Sequence, residues 1–257
     1  MKSYGQTDVG VVRATNEDCF GIFYPSNDSA LIVVCDGMGG HKFGDVASKL
    51  ALEKFSNTVL RLCRSFIVND SLTLSDRDAY VILTNAVTRA NSAVWDCQLE
   101  LDAEDCMGTT LVAALVTKNG AKVSWINIGD SRLYTVTPEE TLQVSKDHSY
   151  VQFMVDMGQI TSEEAKTSPK RNLITKAIGI SEVAEPDADS FPQSSAERER
   201  TTLLLCTDGL HGALDEDVIS SIINNKSKTL EEKTAELISA AKEADGGDNI
   251  ALVLTEF

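Results

Sequence analysis

The sequence predicts an α+β fold in which two antiparallel β-sheets pack as a sandwich with helices outside. Two long stretches with apolar residues at helical spacing, about 44–64 and 76–101, are followed by a series of short β-rich segments rather than by alternating strands and helices. Asn119-Gly120 joins two of those segments and reads as the turn of a tight antiparallel hairpin. Four apolar β-type runs, 31–35, 122–128, 201–206 and 250–255, each carry an aspartate just beyond one end: Asp36, Asp130, Asp208 and Asp248.

Between antiparallel neighbours the end of one strand lies beside the start of the next, so all four aspartates can share one rim. Carboxylates gathered this way repel unless cations neutralise them. Hard oxygen ligands suit magnesium, manganese or calcium rather than zinc. A lone Asp-Gly turn is more simply read as a helix cap, and Asp36 is placed to cap a helix starting near 43–45. Recurrence of the pattern at several strand ends favours the acid cluster.

The elements follow in order. Residues 3–24 alternate weakly and contain Gly5, Gly10 and Gly21, predicting short strands around a polar segment that holds Arg13 and Glu17. By itself, an arginine among acids in a loop is usually a solvated ion pair of little energetic value. Val46, Ala47, Leu50, Ala51, Phe55, Val59 and Leu62 mark the first helix. Tyr80, Leu83, Val87, Ala90, Val94, Cys97 and Leu101 mark the second, with Ser75 or Asp76 as its cap. Strands are expected over 108–116, 121–128 and 131–136. Residues 146–170 then interrupt the sheet with two short helical patterns around Gly158, either a flap over the strand ends or a helical hairpin padding the surface. A short apolar helix is expected over 173–180. Residues 182–200, with Pro186 and Pro192, read as loop and edge strand. The last helices fall at 215–223 and 230–244.

With 257 residues, 42% of them hydrophobic, the chain can form one large domain spanning 1–257, with the flap as a subdomain. A net charge of −16 without a long basic run argues against nucleic acid and anionic membranes as partners. The N-terminus lacks the apolar core of a signal peptide, and no apolar run approaches the ~20 residues of a membrane span. The expectation is a soluble, cytoplasmic protein. Its 6 cysteines show no CxxC spacing, and several lie in apolar runs, as reduced thiols serving as small core residues would. No EF-hand spacing is present, which disfavours a calcium-stabilised binding module.

An ordered series of motifs spans nearly the whole chain: RATNED (13–18), DGMGGH (36–41), GTT (108–110), GDSRLY (129–134), KDHS (146–149), ITKAIG (174–179), CTDGL (206–210) and GGDNI (246–250). The set resembles the type 2C (PPM) metal-dependent serine/threonine protein phosphatases, particularly their compact bacterial branch. The resemblance implies a four-layer αββα sandwich and two magnesium or manganese ions, with a third alongside. Asp36 matches the bridging ligand, Gly37 a carbonyl ligand, and Asp208 and Asp248 the remaining core ligands. Asp130, with Asp208, matches the third site; Glu17 matches an acid acting through water, and Arg13 the phosphate-binding residue.

The implied reaction is hydrolysis of phosphoserine and phosphothreonine in protein substrates by direct attack of a water shared by two ions. Phosphomonoester hydrolysis is among the slowest reactions known, and two ions about 3.5–4 Å apart supply both a nucleophile and charge neutralisation. A paired kinase and a monomeric state complete the expectation. Met38 stands where many eukaryotic members have a histidine suited to protonating the leaving oxygen, so His41 is the available substitute. Ala251 stands where the family commonly has threonine, and a packing change is expected there. The competing reading is an inactive member of the fold acting as a regulatory domain; retention of so many repelling carboxylates argues against it.

Overall fold

The computed structural model describes residues 1–38, 43–99 and 107–257. Two 5-stranded antiparallel sheets form the centre. One runs, in spatial order, Lys2–Asp8, Ile250–Glu256, Thr202–Cys206, Arg132–Val136 and Thr141–Gln143. The other runs Asp187–Pro192, Lys122–Ile128, Leu111–Thr117, Ala30–Cys35 and Cys19–Phe23.

Alternation along each strand explains the layers. In Ala30–Cys35, Ala30, Ile32 and Val34 point between the sheets and pack with Leu203, Leu205, Ala251 and Val253 of the opposite sheet. Leu31, Val33 and Cys35 point the other way, against Ala47, Ala51, Phe55 and Val59 of helix Gly44–Cys63 and Leu83, Val87 and Val94 of helix Asp76–Leu99. On the far side, Leu204, Cys206, Leu252 and Leu254 pack against Ile219, Ile222, Leu237 and Ile238 of helices Glu216–Ile223 and Leu230–Ala244. The result is helices, sheet, sheet, helices, as expected. Ala251 lies in the inter-sheet core, where the methyl is packed and fully buried.

The local signals behave as their chemistry requires. Ser75, not Asp76, caps the second helix: its hydroxyl accepts from the Asp78 N–H (3.1 Å) while Asp78 accepts from the Ser75 N–H (3.2 Å). Asp36 caps nothing, because the first helix starts after Phe43 with no side-chain cap. Lys118, Asn119 and Gly120, all at positive φ, turn the 111–128 hairpin. Asp187–Pro192 is an edge strand, with Pro192 at its end where a missing N–H costs no ladder bond. The 146–170 segment folds as Tyr150–Asp156 and Ser162–Lys166 around Gly158, whose φ is +66°. No helix among the described residues is long and apolar enough to cross a membrane.

One expectation fails. Residues 173–180 form no helix, because their backbone groups are already committed elsewhere. Leu173 O accepts from Tyr150 N (2.7 Å), Thr175 N donates to His148 O (2.8 Å), and Ile178 exchanges bonds with Thr109. Gly179, at φ +88°, turns the chain away and donates to the buried Asn91 Oδ1 (2.8 Å), while Asn91 Nδ2 donates to Ser181 O and Glu182 O, each at 3.0 Å. The segment is an extended strap fastened by one asparagine. Asn91→Ala should therefore cost about 1–3 kcal/mol of stability, by leaving a buried N–H and two carbonyls without partners; urea denaturation checks it.

Candidate active site

The strand ends converge as antiparallel pairing demands. Ala30–Cys35 and Lys122–Ile128 both pair with Leu111–Thr117, so Asp36 and Asp130 emerge at the same end of one sheet. Cys206 pairs with Leu252, which brings Asp208 and Asp248 together at the matching end of the other.

Backbone bonds fix Asp36. Its N–H donates to Thr110 Oγ1 (3.0 Å), and its carbonyl accepts from Thr110 N (2.9 Å) and Thr109 Oγ1 (2.8 Å). Thr110 Oγ1 also bonds Ser131 Oγ (2.7 Å), tying the Asp36 turn to the residue after Asp130. His211 Nε2 lies 3.0 Å from the Asp130 carbonyl. Burial, then the Arg132 charge, hold His211 well below the ordinary histidine range, so the ring is neutral and this nitrogen donates. Gly129, at φ +115°, is clamped from both sides: its N–H donates to His148 Nδ1 (3.1 Å) and its carbonyl accepts from His148 N (2.9 Å). Arg132 grips Asp147 through Nε and Nη2 at 2.7–3.1 Å, so the base of the 146–170 segment is anchored beside Asp130.

The acids strain against one another. Burial first, then the charges of Asp18, Asp208, Asp130 and Asp248, push the Asp36 carboxyl well above its usual range. Asp208 is raised by burial and by the charge of Asp248. Asp130 is pushed up to about 8 by burial, then by Asp208 and Asp147, and its Oδ1 is buried with no partner among the described residues. Asp18 is 5% exposed. Burial lifts it well above the usual range despite the 2.8 Å bond from the Thr207 hydroxyl. Glu17 is raised by burial, with Arg13 opposing and Asp45 and Asp248 adding.

Glu17 and Gly37 meet at the start of the first helix. A Cβ on Gly37 would run into the backbone of Gly44 and the Glu17 carbonyl, so glycine at 37 permits this approach, while Gly44 lies against the Glu17 carboxyl. Asn249 orders the loop that carries Arg13: Oδ1 accepts from Glu17 N (2.8 Å), and Nδ2 donates to Val9 O (2.9 Å) and Thr15 O (3.0 Å). Arg13 is exposed and reaches Asp248, Nη2 to Oδ2 at 2.9 Å.

Arg13, Glu17, Asp36, Gly37, Asp130, Asp208 and Asp248 thus lie at one rim; His41 lies outside the described residues. Sequence reasoning passed over Asp18, Thr110, Asn249, His148 and His211. Each falls within or beside a motif already noted, and adjacency to an assigned acid was the available signal for Asp18 and Asn249. Among the described residues no three acid, cysteine or histidine side chains already converge as a finished metal cage. The set nevertheless fits hard divalent cations: the donors at the rim are oxygens, they repel one another, and one buried Asp130 oxygen has no partner.

Because these carboxyls are raised in the folded state, the folded protein binds more protons than the unfolded chain between about pH 4 and 8. Metal-free protein should lose stability as pH rises through that window, the reverse of an ion-paired carboxylate. Asp130→Asn should flatten the slope and raise metal-free stability at pH 8 by about 1–3 kcal/mol. Urea denaturation in chelator at pH 5 and pH 8 reads both effects.

A two-sheet sandwich whose shared rim gathers carboxylates beneath an exposed arginine defines a class of hard-cation centre open to an anionic ligand. The family model described as protein phosphatase 2C matches residues 11–243, and the chain belongs to that family. It is 33% identical over 257 residues to the serine/threonine phosphatase stp of Listeria monocytogenes, covering 100% of this chain and 96% of the relative. The crystal structure of serine/threonine phosphatase Stp1 from Staphylococcus aureus superposes with a TM-score of 0.86 at 33% identity, covering 100% of this chain and 94% of that one. The catalytic domain of serine threonine protein phosphatase PstP, solved with 2 manganese ions, superposes with a TM-score of 0.79 at 31% identity, covering 99% and 97%.

Proposed function

We propose that this protein is a metal-dependent phosphatase that hydrolyses phosphoserine and phosphothreonine in protein substrates. The observation that carries the reading is the convergence of the strand ends bearing Asp36, Asp130, Asp208 and Asp248 at one rim beside Arg13. The names of its relatives support it, and they favour turnover over an inactive regulatory domain. Asp36, the Gly37 carbonyl, Asp208 and Asp248 hold two magnesium or manganese ions, with Glu17 acting through water; Asp130 and Asp208 hold a third. When bound, such ions neutralise phosphate charge and supply water of lowered pKa.

The chain's own residues do the rest. Thr109 and Thr110 keep the Asp36 turn rigid, and Asn249 orders the loop from which the Arg13 fork reaches the phosphoryl oxygens. His41 delivers the proton that a departing serine or threonine oxygen needs. The 146–170 segment, rooted by Arg132–Asp147, serves as a flap on a single catalytic domain of 1–257. The protein acts as a cytoplasmic monomer on phosphoproteins made by a paired kinase, with neither nucleic acid nor membrane as partner.

Chelator should abolish phosphopeptide turnover, and added manganese or magnesium should restore it. Full turnover after dialysis into metal-free buffer with excess chelator would sink the reading. Arg13→Ala and His41→Ala separate two steps. Loss of Arg13 should weaken binding of every phosphomonoester by about tenfold or more, whatever the leaving group. Loss of His41 should slow phosphothreonine peptide by roughly 10²-fold yet spare p-nitrophenyl phosphate, whose leaving group departs without a proton. Steady-state kinetics on both substrates at saturating metal, pH 6 to 8, decides it.

A further inference from the structure

Strands Cys19–Phe23 and Ala30–Cys35 pair with Cys19 directly opposite Cys35. Opposed residues of an antiparallel pair share a face, with Cα atoms about 4.5–5.5 Å apart, inside the ~4.4–6.8 Å that a disulfide spans. Both side chains face the same core, where Cys19 packs against the cluster that holds Cys35. Cys35 is fully buried, whereas Cys19 is half-buried. Cys63 and Cys97 lie on helices, and Cys206 stands opposite Leu252 and Arg132. The placement of this pair matters more than its existence. Asp18 immediately precedes Cys19 and Asp36 immediately follows Cys35, so both strands enter the acid cluster one residue from a sulfur.

We propose that Cys19 and Cys35 form a modification site for hydroperoxides, a dithiol beneath the acid cluster that closes to a disulfide and lowers turnover. The effect on turnover rests on the phosphatase reading; the modification itself does not. With hydrogen peroxide, the sulfur of half-buried Cys19 attacks one oxygen, the O–O bond breaks, and the other oxygen leaves as water, giving a sulfenic acid. The Cys35 sulfur then attacks Cys19 sulfur. Its proton and the departing hydroxyl form a second water as the S–S bond closes. Two thiols lose one electron each and the peroxide gains both. An S–S bond of about 2.05 Å locks the spacing and twist of the strand ends that carry Asp18 and Asp36.

The test uses the full chain, reduced and then exposed to hydrogen peroxide, with free thiols alkylated before mass measurement and peptide mapping. The expected product is about 2 Da lighter before alkylation, carries a Cys19–Cys35 linked peptide, and reverts with dithiothreitol. Turnover of p-nitrophenyl phosphate at saturating manganese should fall about tenfold on oxidation and recover on reduction, as should manganese affinity by calorimetry. Cys35→Ser puts a hydroxyl in the core, so Cys19→Ser at the half-buried partner is the second variant; each should prevent both the cross-link and the loss. A sulfinic acid on Cys19, about 32 Da heavier with no cross-link, overturns the proposal. So does a cross-linked protein with unchanged turnover and metal affinity. If the reduced protein shows no phosphatase activity, the functional reading fails, and the mass and manganese-binding measurements still decide the dithiol.

Discussion

The site depends on holding like charges where they least belong. Asp36 and Asp208 sit among neighbouring acids that push their carboxyls up, Asp18 is held by the Thr207 hydroxyl, and Asp130 keeps a buried oxygen with no partner among the described residues. Left to itself a strand end bearing a carboxylate would turn it to water. Here the backbone denies that freedom: Thr109 and Thr110 hold Asp36 by three bonds, His148 clamps Gly129, and His211 holds the Asp130 carbonyl. Neutral donors do this work, so the acids keep their full appetite for a cation.

That arrangement explains why the rest of the sandwich is so thoroughly apolar. Both faces of the central strands are buried, one against the opposite sheet and one against helices. Burial on two sides leaves each strand only its ends for chemistry, and antiparallel order delivers alternate ends to one rim. The helices serve the rim as well as the core. The first begins where Glu17, Gly37 and Gly44 touch, and the short Asp208–His211 turn supplies one acid and the histidine that steadies another. The 146–170 segment is tied to the same place through Asp147 and His148, so its base cannot shift without disturbing Asp130.

Sequence alone carried much of this. The two long helices, the Asn119-Gly120 hairpin, the edge strand ending at Pro192 and the four acids beyond strand ends were legible because each rests on a short-range signal: period, turn chemistry, a missing N–H, or a charge after an apolar run. The strap at 173–180 was misread for the opposite reason. Its apolar residues suit a helix, but its hydrogen-bond partners, Asn91, Thr109, His148 and Tyr150, lie far away in the chain or across a turn.

What only the tertiary structure decided is which side chains meet. A run such as Ala30–Cys35 is uniformly buried, so its alternation between two cores leaves no polar trace in the sequence. The roles of Asn249 and Thr110 are likewise invisible along the chain, since each bonds backbone that is distant in sequence. The pairing of Cys19 with Cys35 is a matter of register. A slip of one residue would place the two sulfurs on opposite faces, and register is set by the cores on both sides rather than by either cysteine.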